Sequence, residues 1–135
     1  MGRGKRSVVL TRLELEVMRP VWERHPEPVA VRDILDRVNA GRKKPLAYNT
    51  VHTVLTLLKA KGVLAAQPGP GRAHLYRARL SRDEVATTLL GDLVDRLFGG
   101  RAQPLLHRLV EHESLGREEL EKLKHLIESR LEDEQ

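Results

Sequence analysis

Asn49, His52, Thr53 and Thr56 are short hydrogen-bonding side chains spaced to share one face of a helix. Val51, Val54, Leu55 and Leu58 fall between them at i, i+3, i+4 and i+7, the stripe a helix turns toward a core. A solvated helix face ordinarily carries Glu and Lys pairs. This one offers an amide, an imidazole and hydroxyls, and residues 46–62 hold no carboxylate. Such groups suit a helix that enters a groove and meets base edges: Asn pairs bidentately with adenine, and a Thr methyl packs on the thymine methyl. Tyr48 and Thr50 stand near the start of this helix, Lys59 is on its edge with reach for a phosphate, and Gly62 is placed to end it in the left-handed conformation.

Other chemistries find less support. His107 and His112 are five apart and fall on different helix faces, and His107-Arg108-Leu109-Val110-Glu111-His112 is not the His-Glu-x-x-His zinc pattern. His25, His74 and His125 have no ligand neighbours at useful spacing, so no metal or other cofactor is expected. Ser7, Ser81, Ser114 and Ser129 lack a nucleophile-elbow context. Pro68-Gly69-Pro70-Gly71 is no phosphate loop, because two prolines remove N–H donors. No enzyme is expected.

Composition narrows the partner. The chain has 135 residues, of which 32% are charged and 3% aromatic, and it has no cysteine. The core must therefore be mostly aliphatic, and neither a disulfide framework nor a thiolate metal site is available. No run approaches the roughly 18 apolar residues of a membrane span, and the basic N-terminus leads into no signal-like apolar region, so a cytoplasmic protein without membrane insertion is expected. The net charge of +5 hides a split: residues 1–80 hold 16 Lys+Arg against 6 Asp+Glu, and residues 81–135 hold 8 against 13. A basic first part beside an acidic second part points to a polyanion partner for the first. Single-strand and RNA platforms stack bases on aromatic rings. The basic part has only Trp22, Tyr48 and Tyr76, so duplex DNA read in the major groove fits better.

The surrounding sequence supplies elements to hold that helix. Thr11-Arg12-Leu13-Glu14 is a capping box with a Leu10–Leu15 staple, and it opens a helix to about Glu23 that Pro20 should kink or end early. Trp22 is expected to anchor the core. Val29-Ala30 suits a short extended piece, and Val31, Ile34, Leu35 and Val38 give a second helix its buried stripe. The basic loop 39–45 then sets Lys43 and Lys44 beside the third helix's N-terminus, as anion-binding groups or merely an exposed loop. Residues 63–67 and 73–79 read as strands around a Pro/Gly tip at 68–72. Arg72 and His74 there are expected to reach phosphate or the minor groove, and Leu75 to face away from His74 and Tyr76.

The order helix-helix-helix-hairpin is that of a winged helix-turn-helix, a mainly α fold with a small β-hairpin wing. Residues 1–80 are expected to form this DNA-binding domain with its basic arm. In residues 81–135 a second capping box at Ser81-Arg82-Asp83-Glu84 opens a fourth helix, Gly99-Gly100 stops it, and two further short amphipathic helices follow, one with Leu105, Leu106, Leu109 and Val110 and one starting near Gly116-Arg117-Glu118-Glu119. Their apolar content exceeds what they can hide alone, so this region is expected to form a helical homodimerisation domain.

Together these residues resemble a known family. Leu10-Thr11 with Glu14, Val17-Met18 and Val21-Trp22, then Asn49-Thr50-Val51-His52-Thr53-Val54-Leu55 through Lys61-Gly62, then His74-Leu75-Tyr76 and Arg96-Leu97-Phe98-Gly99-Gly100, are similar to the penicillinase repressor (BlaI/MecI) family, in the right order along nearly the whole chain. The resemblance implies a dimeric repressor that sits on a palindromic operator. It also implies a membrane-bound β-lactam sensor protease as the upstream partner, acting by cleavage at an Asn-Phe bond. The aligned pair here is Arg108-Leu109, so the cleavage motif is absent, and without cysteine the copper-sensing chemistry of one branch is excluded. The competing reading is a winged-helix protein-interaction module whose basic face only solubilises it.

Overall fold

The computed structural model describes residues 9–71 and 73–134; the basic arm, Arg72 and Gln135 lie outside the described residues. The chain divides into two compact units between Asp92 and Leu93, inside the fourth helix.

In the first unit, α1 spans Arg12–Arg24. Its capping box forms as the sequence indicates. The Thr11 N–H donates to Glu14 Oε1 at 2.8 Å, and Glu14 N–H donates to Thr11 Oγ1 at 3.2 Å. The helix does not end at Pro20. Pro20 is itself buried, and α1 continues to Arg24, because the residues on either side of it, Met18 and Val21, are held in the core. Tertiary packing outweighs the lost backbone bond. After β1 (Val29–Ala30) come α2 (Val31–Ala40) and α3 (Tyr48–Ala60), then β2 (Leu64–Pro68), β3 (His74–Ala78) and the start of α4 (Arg82–Phe98).

The strands form one antiparallel sheet in the order β1-β3-β2, with Val29 opposite Tyr76 and Ala66 opposite Tyr76 on the other side. Val29-Ala30 is thus a true third strand, and β3 is central. That position accounts for Tyr76, which is 5% exposed and belongs to the core. Burial pushes its phenol pKa up, so it stays neutral.

Val17, Met18 and Val21 from α1 meet Ile34 and Leu35 from α2, and Val51, Leu55 and Leu58 from α3. Burying an aliphatic side chain of this size is worth roughly 1.5–3 kcal/mol, so the three-helix contact holds α3 firmly. Trp22 is only half-buried. Its ring packs against the core, and its indole N–H donates to the Leu80 carbonyl at 3.0 Å.

The second unit holds the end of α4, then α5 (Ala102–His112) and α6 (Arg117–Asp133). Gly99 and Gly100, with φ of 58° and 83°, terminate α4 as only glycine does cheaply. Neither α5 nor α6 buries a residue. Leu97, Leu126 and Leu131 are 68%, 67% and 60% exposed.

Candidate nucleic-acid interface

The presentation of α3 depends on how its two ends are fixed. Before it, Asn39 at the end of α2 clamps the backbone of Leu46: its amide donates to the Leu46 carbonyl at 3.0 Å, and the Leu46 N–H donates to Asn39 Oδ1 at 2.8 Å. Arg42 is the staple of the intervening loop. Its guanidinium reaches Glu16 on α1 at 2.7 Å and also donates to the Lys44 carbonyl at 3.0 Å. Arg42 is thus occupied, and the loop turns Lys43 and Lys44 outward, both exposed.

At the other end, Gly62 has φ of 83°. Its N–H donates to Lys59 O at 3.0 Å, and that of Val63 to Leu58 O at 3.0 Å. These two bonds make a Schellman cap, the ending its glycine implies. Lys61 Nζ adds an ion pair of 2.8 Å with the buried Glu14.

Between these fixtures α3 separates into two faces. Val51, Val54, Leu55 and Leu58 are buried, while Tyr48, Asn49, Thr50, His52, Thr53, Thr56 and Lys59 are exposed. Ala47 caps the helix without a side-chain bond, and the first turn holds no acid. The N–H groups of that turn, with the positive end of the helix dipole, face the same end as Lys43 and Lys44. This is an arrangement that attracts an anion.

The exposed residues are not equivalent. Thr56 Oγ1 donates to the His52 carbonyl at 3.0 Å, so its hydroxyl proton is used within the helix and its methyl and lone pairs remain. Tyr48 and His52 stack with ring centroids 6.4 Å apart and planes 14° from parallel. The Arg32 guanidinium on α2 lies 5.6 Å over the Tyr48 ring. Arg32, Asn39 and Arg42 make contacts at α3 and its preceding loop that the sequence pattern did not single out. Their partners Tyr48, Leu46 and Glu16 are recognisable only once α1, α2 and α3 are packed.

In the wing, the Gly69 N–H donates to Ala73 O at 2.9 Å, and Gly71 has φ of 64°. His74 is exposed, paired with Pro68 at the tip end of the hairpin. Arg72 lies outside the described residues. Along β3, His74 is exposed, Leu75 half-buried and Tyr76 buried.

Among the described residues no three of His, Cys, Asp and Glu are grouped to hold a metal ion, and no helix is long and apolar enough to cross a membrane. Arg108-Leu109 lies within α5.

A sequence model of the penicillinase repressor family matches residues 10–129. The chain is also 20% identical over 124 residues to a penicillinase repressor of Staphylococcus aureus, a match covering 92% of this chain and 94% of that protein. The mainly helical architecture with its small three-stranded sheet is consistent with a winged helix. With the family match spanning both units, the chain belongs to the penicillinase repressor family, which comprises DNA-binding transcriptional repressors and not enzymes.

Proposed function

We propose that the protein is a cytoplasmic, dimeric repressor that binds palindromic operator DNA with α3 in the major groove. The observation that carries this reading is the division of α3. One face is locked into the core, and the other presents Asn49, His52, Thr53 and Thr56 with no carboxylate to repel phosphate. Asn49 and Thr53 make base-edge contacts, Thr56 offers its methyl to a thymine, and His52 is oriented by its stack on Tyr48. Thr50, Lys43 and Lys44 bind phosphate at the helix start, Lys59 binds it from the edge, and Arg72 and His74 carry the wing to the backbone or the minor groove.

The exposed leucines of α4, α5 and α6 favour a second copy as their cover. A two-fold dimer sets its reading heads one helical turn apart, about 34–36 Å or a multiple of it, and so requires a palindrome. Repression follows from occupancy of the site. With Arg108-Leu109 in place of an Asn-Phe pair, release from a sensor protease by cleavage at that point has no support in this chain.

The test is an anisotropy titration on duplexes from the region upstream of the chain's own gene, over a range of salt. Asn49→Ala should relax sequence preference. Lys44→Ala should weaken all sequences alike and lower the salt slope by about one. A chain that leaves every duplex unbound at low salt would be the protein-interaction module instead.

A further inference from the structure

Within the first unit, a cavity of about 600 Å³ opens between α1 and the first turns of α4. This volume falls in the range of small-molecule sites, roughly 300–1,000 Å³. None of the residues proposed to touch DNA lines it.

Its chemistry is divided. Trp22, Leu80, Val85 and Leu89 supply an apolar wall, with the Trp22 indole N–H already committed to the Leu80 carbonyl. Arg19, Arg79 and Arg82, all exposed, line the same cavity, within reach of an occupant at its mouth. Two carboxylates line it as well, and both have internal duties: Glu23 pairs with Arg37 at 3.5 Å, and Glu84 accepts from the Ser81 N–H at 2.9 Å to cap α4. The charge available to an occupant is therefore positive, and the surface beside it apolar.

We infer that this cavity binds a small amphipathic carboxylate, with its apolar body against Trp22, Leu80, Val85 and Leu89 and its carboxylate among Arg19, Arg79 and Arg82. A guanidinium matches a carboxylate bidentately, and a low-polarity wall strengthens that pairing. The site also has structural leverage. The chain that leaves β3 for α4 is fixed by the Arg79 N–H, which donates to Val63 O at 2.7 Å just beyond the cap of α3. An occupant between α1 and α4 would thus lie one residue from a bond to the end of the reading helix. That this makes the occupant an effector rests on the function proposed above; the binding itself does not.

Trp22 is the only tryptophan, so its emission reports the cavity directly. The full chain is titrated with 4-phenylbutyrate, and in parallel with 4-phenylbutanol, in the absence of DNA. The expected result is a saturable change in Trp22 emission, one equivalent per chain, with the alcohol at least about tenfold weaker. Arg79→Gln and Arg82→Gln should each weaken the carboxylate about tenfold and leave the alcohol unchanged. Ala86→Leu, which adds bulk from an exposed helical position lining the cavity, should abolish binding while circular dichroism and Tm stay as in the parent.

Equal affinity for acid and alcohol would overturn the proposal, as would no saturable change, or binding that survives Ala86→Leu. It would be overturned equally if Trp22 emission followed protein dilution and not ligand, which would make the cavity a contact between copies. None of these readouts involves duplex binding, so failure here is separable from failure of the repressor reading.

Discussion

Lys61 Nζ lies 2.8 Å from Glu14 Oε1, and this pair ties the end of α3 to the first turn of α1. Glu14 is 3% exposed and accepts from the Thr11 N–H as well, so one carboxylate serves a helix cap and a tertiary bond together. Burial alone would raise its pKa. The hydrogen bond from Lys61 and those from Thr11 outweigh burial and hold it below the ordinary 4.5.

A depressed folded pKa contributes stability above the unfolded pKa and loses it as the pH falls through the folded value. Lys61→Met removes the main lowering partner and leaves the burial. The carboxylate should then cost about 1–3 kcal/mol at neutral pH, toward the lower end because the Lys61 ammonium is partly solvated. Acidification should recover part of that loss, since the protonated acid no longer needs the ammonium. Urea midpoints measured from about pH 3 to 7 would check this, the variant closing on the parent as the pH falls. A constant gap at every pH would contradict the role given to Glu14.

Asn39 makes two bonds to the Leu46 backbone and, among the described residues, no hydrogen bond to a side chain on the exposed α3 face. Asn39→Ala should lower stability by about 1–3 kcal/mol, because it leaves the half-buried backbone groups of Leu46 unmatched. Affinity for all duplexes should fall together, since the start of α3 loses its anchor and every contact beyond it is displaced. Denaturation midpoints and anisotropy on specific and scrambled duplexes would separate this from Asn49→Ala, which is expected to change preference at near-constant stability.

Which parts were legible in the sequence follows from the range over which each signal acts. Both Ser/Thr-x-x-Glu boxes, the Gly62 stop and the α3 stripe are local, set within one or two helical turns, and the structure reproduces them. Pro20 shows where local propensity loses, because Met18 and Val21 are held by other elements. Tyr76 lies in a strand that only long-range pairing makes central. At the interface, the outward set on α3 was readable as a face. Its refinements were not: Arg32 over Tyr48 and Arg42 on Glu16 join residues 16 and 26 positions apart, and no periodicity encodes such pairs.

Thr53 and Thr56 are identical in type and adjacent on the exposed face, yet their hydroxyls differ. Thr56 donates to the His52 carbonyl, whereas the Thr53 hydroxyl makes no hydrogen bond among the described residues. Thr56→Val keeps the methyl and exchanges a hydroxyl whose proton is already spent inside the helix for a second methyl, so, with Thr56 reading DNA through its methyl, duplex affinity should change less than about threefold, under 0.7 kcal/mol. Thr53→Val should lose about 1–3 kcal/mol of discrimination at one base position, because its hydroxyl is free to read an edge. Competition titrations with single-base-substituted duplexes would measure both. Equal losses would mean that α3 meets DNA through a different set of residues.

Leu126 is 67% exposed on α6, alongside Leu123 and Leu131, in a unit whose two last helices bury nothing of their own. The ion pairs on that helix, such as Arg117 with Glu121 at 3.3 Å, are solvent-exposed and add little stability. Stability for this unit must come from covering the leucines. Leu126→Arg places a charge where a second copy would pack, and sedimentation equilibrium should show a dimer for the parent and a monomer for the variant. The first unit has its own core, so its unfolding transition should be retained. Linking two half-site contacts gains about 10²–10⁴ in affinity without any new contact. The monomer should therefore lose a factor in that range on the full palindrome while keeping the parent's affinity for an isolated half-site. Loss at the half-site too would mean that Leu126 supports the reading head itself, and would argue against two units with separate tasks.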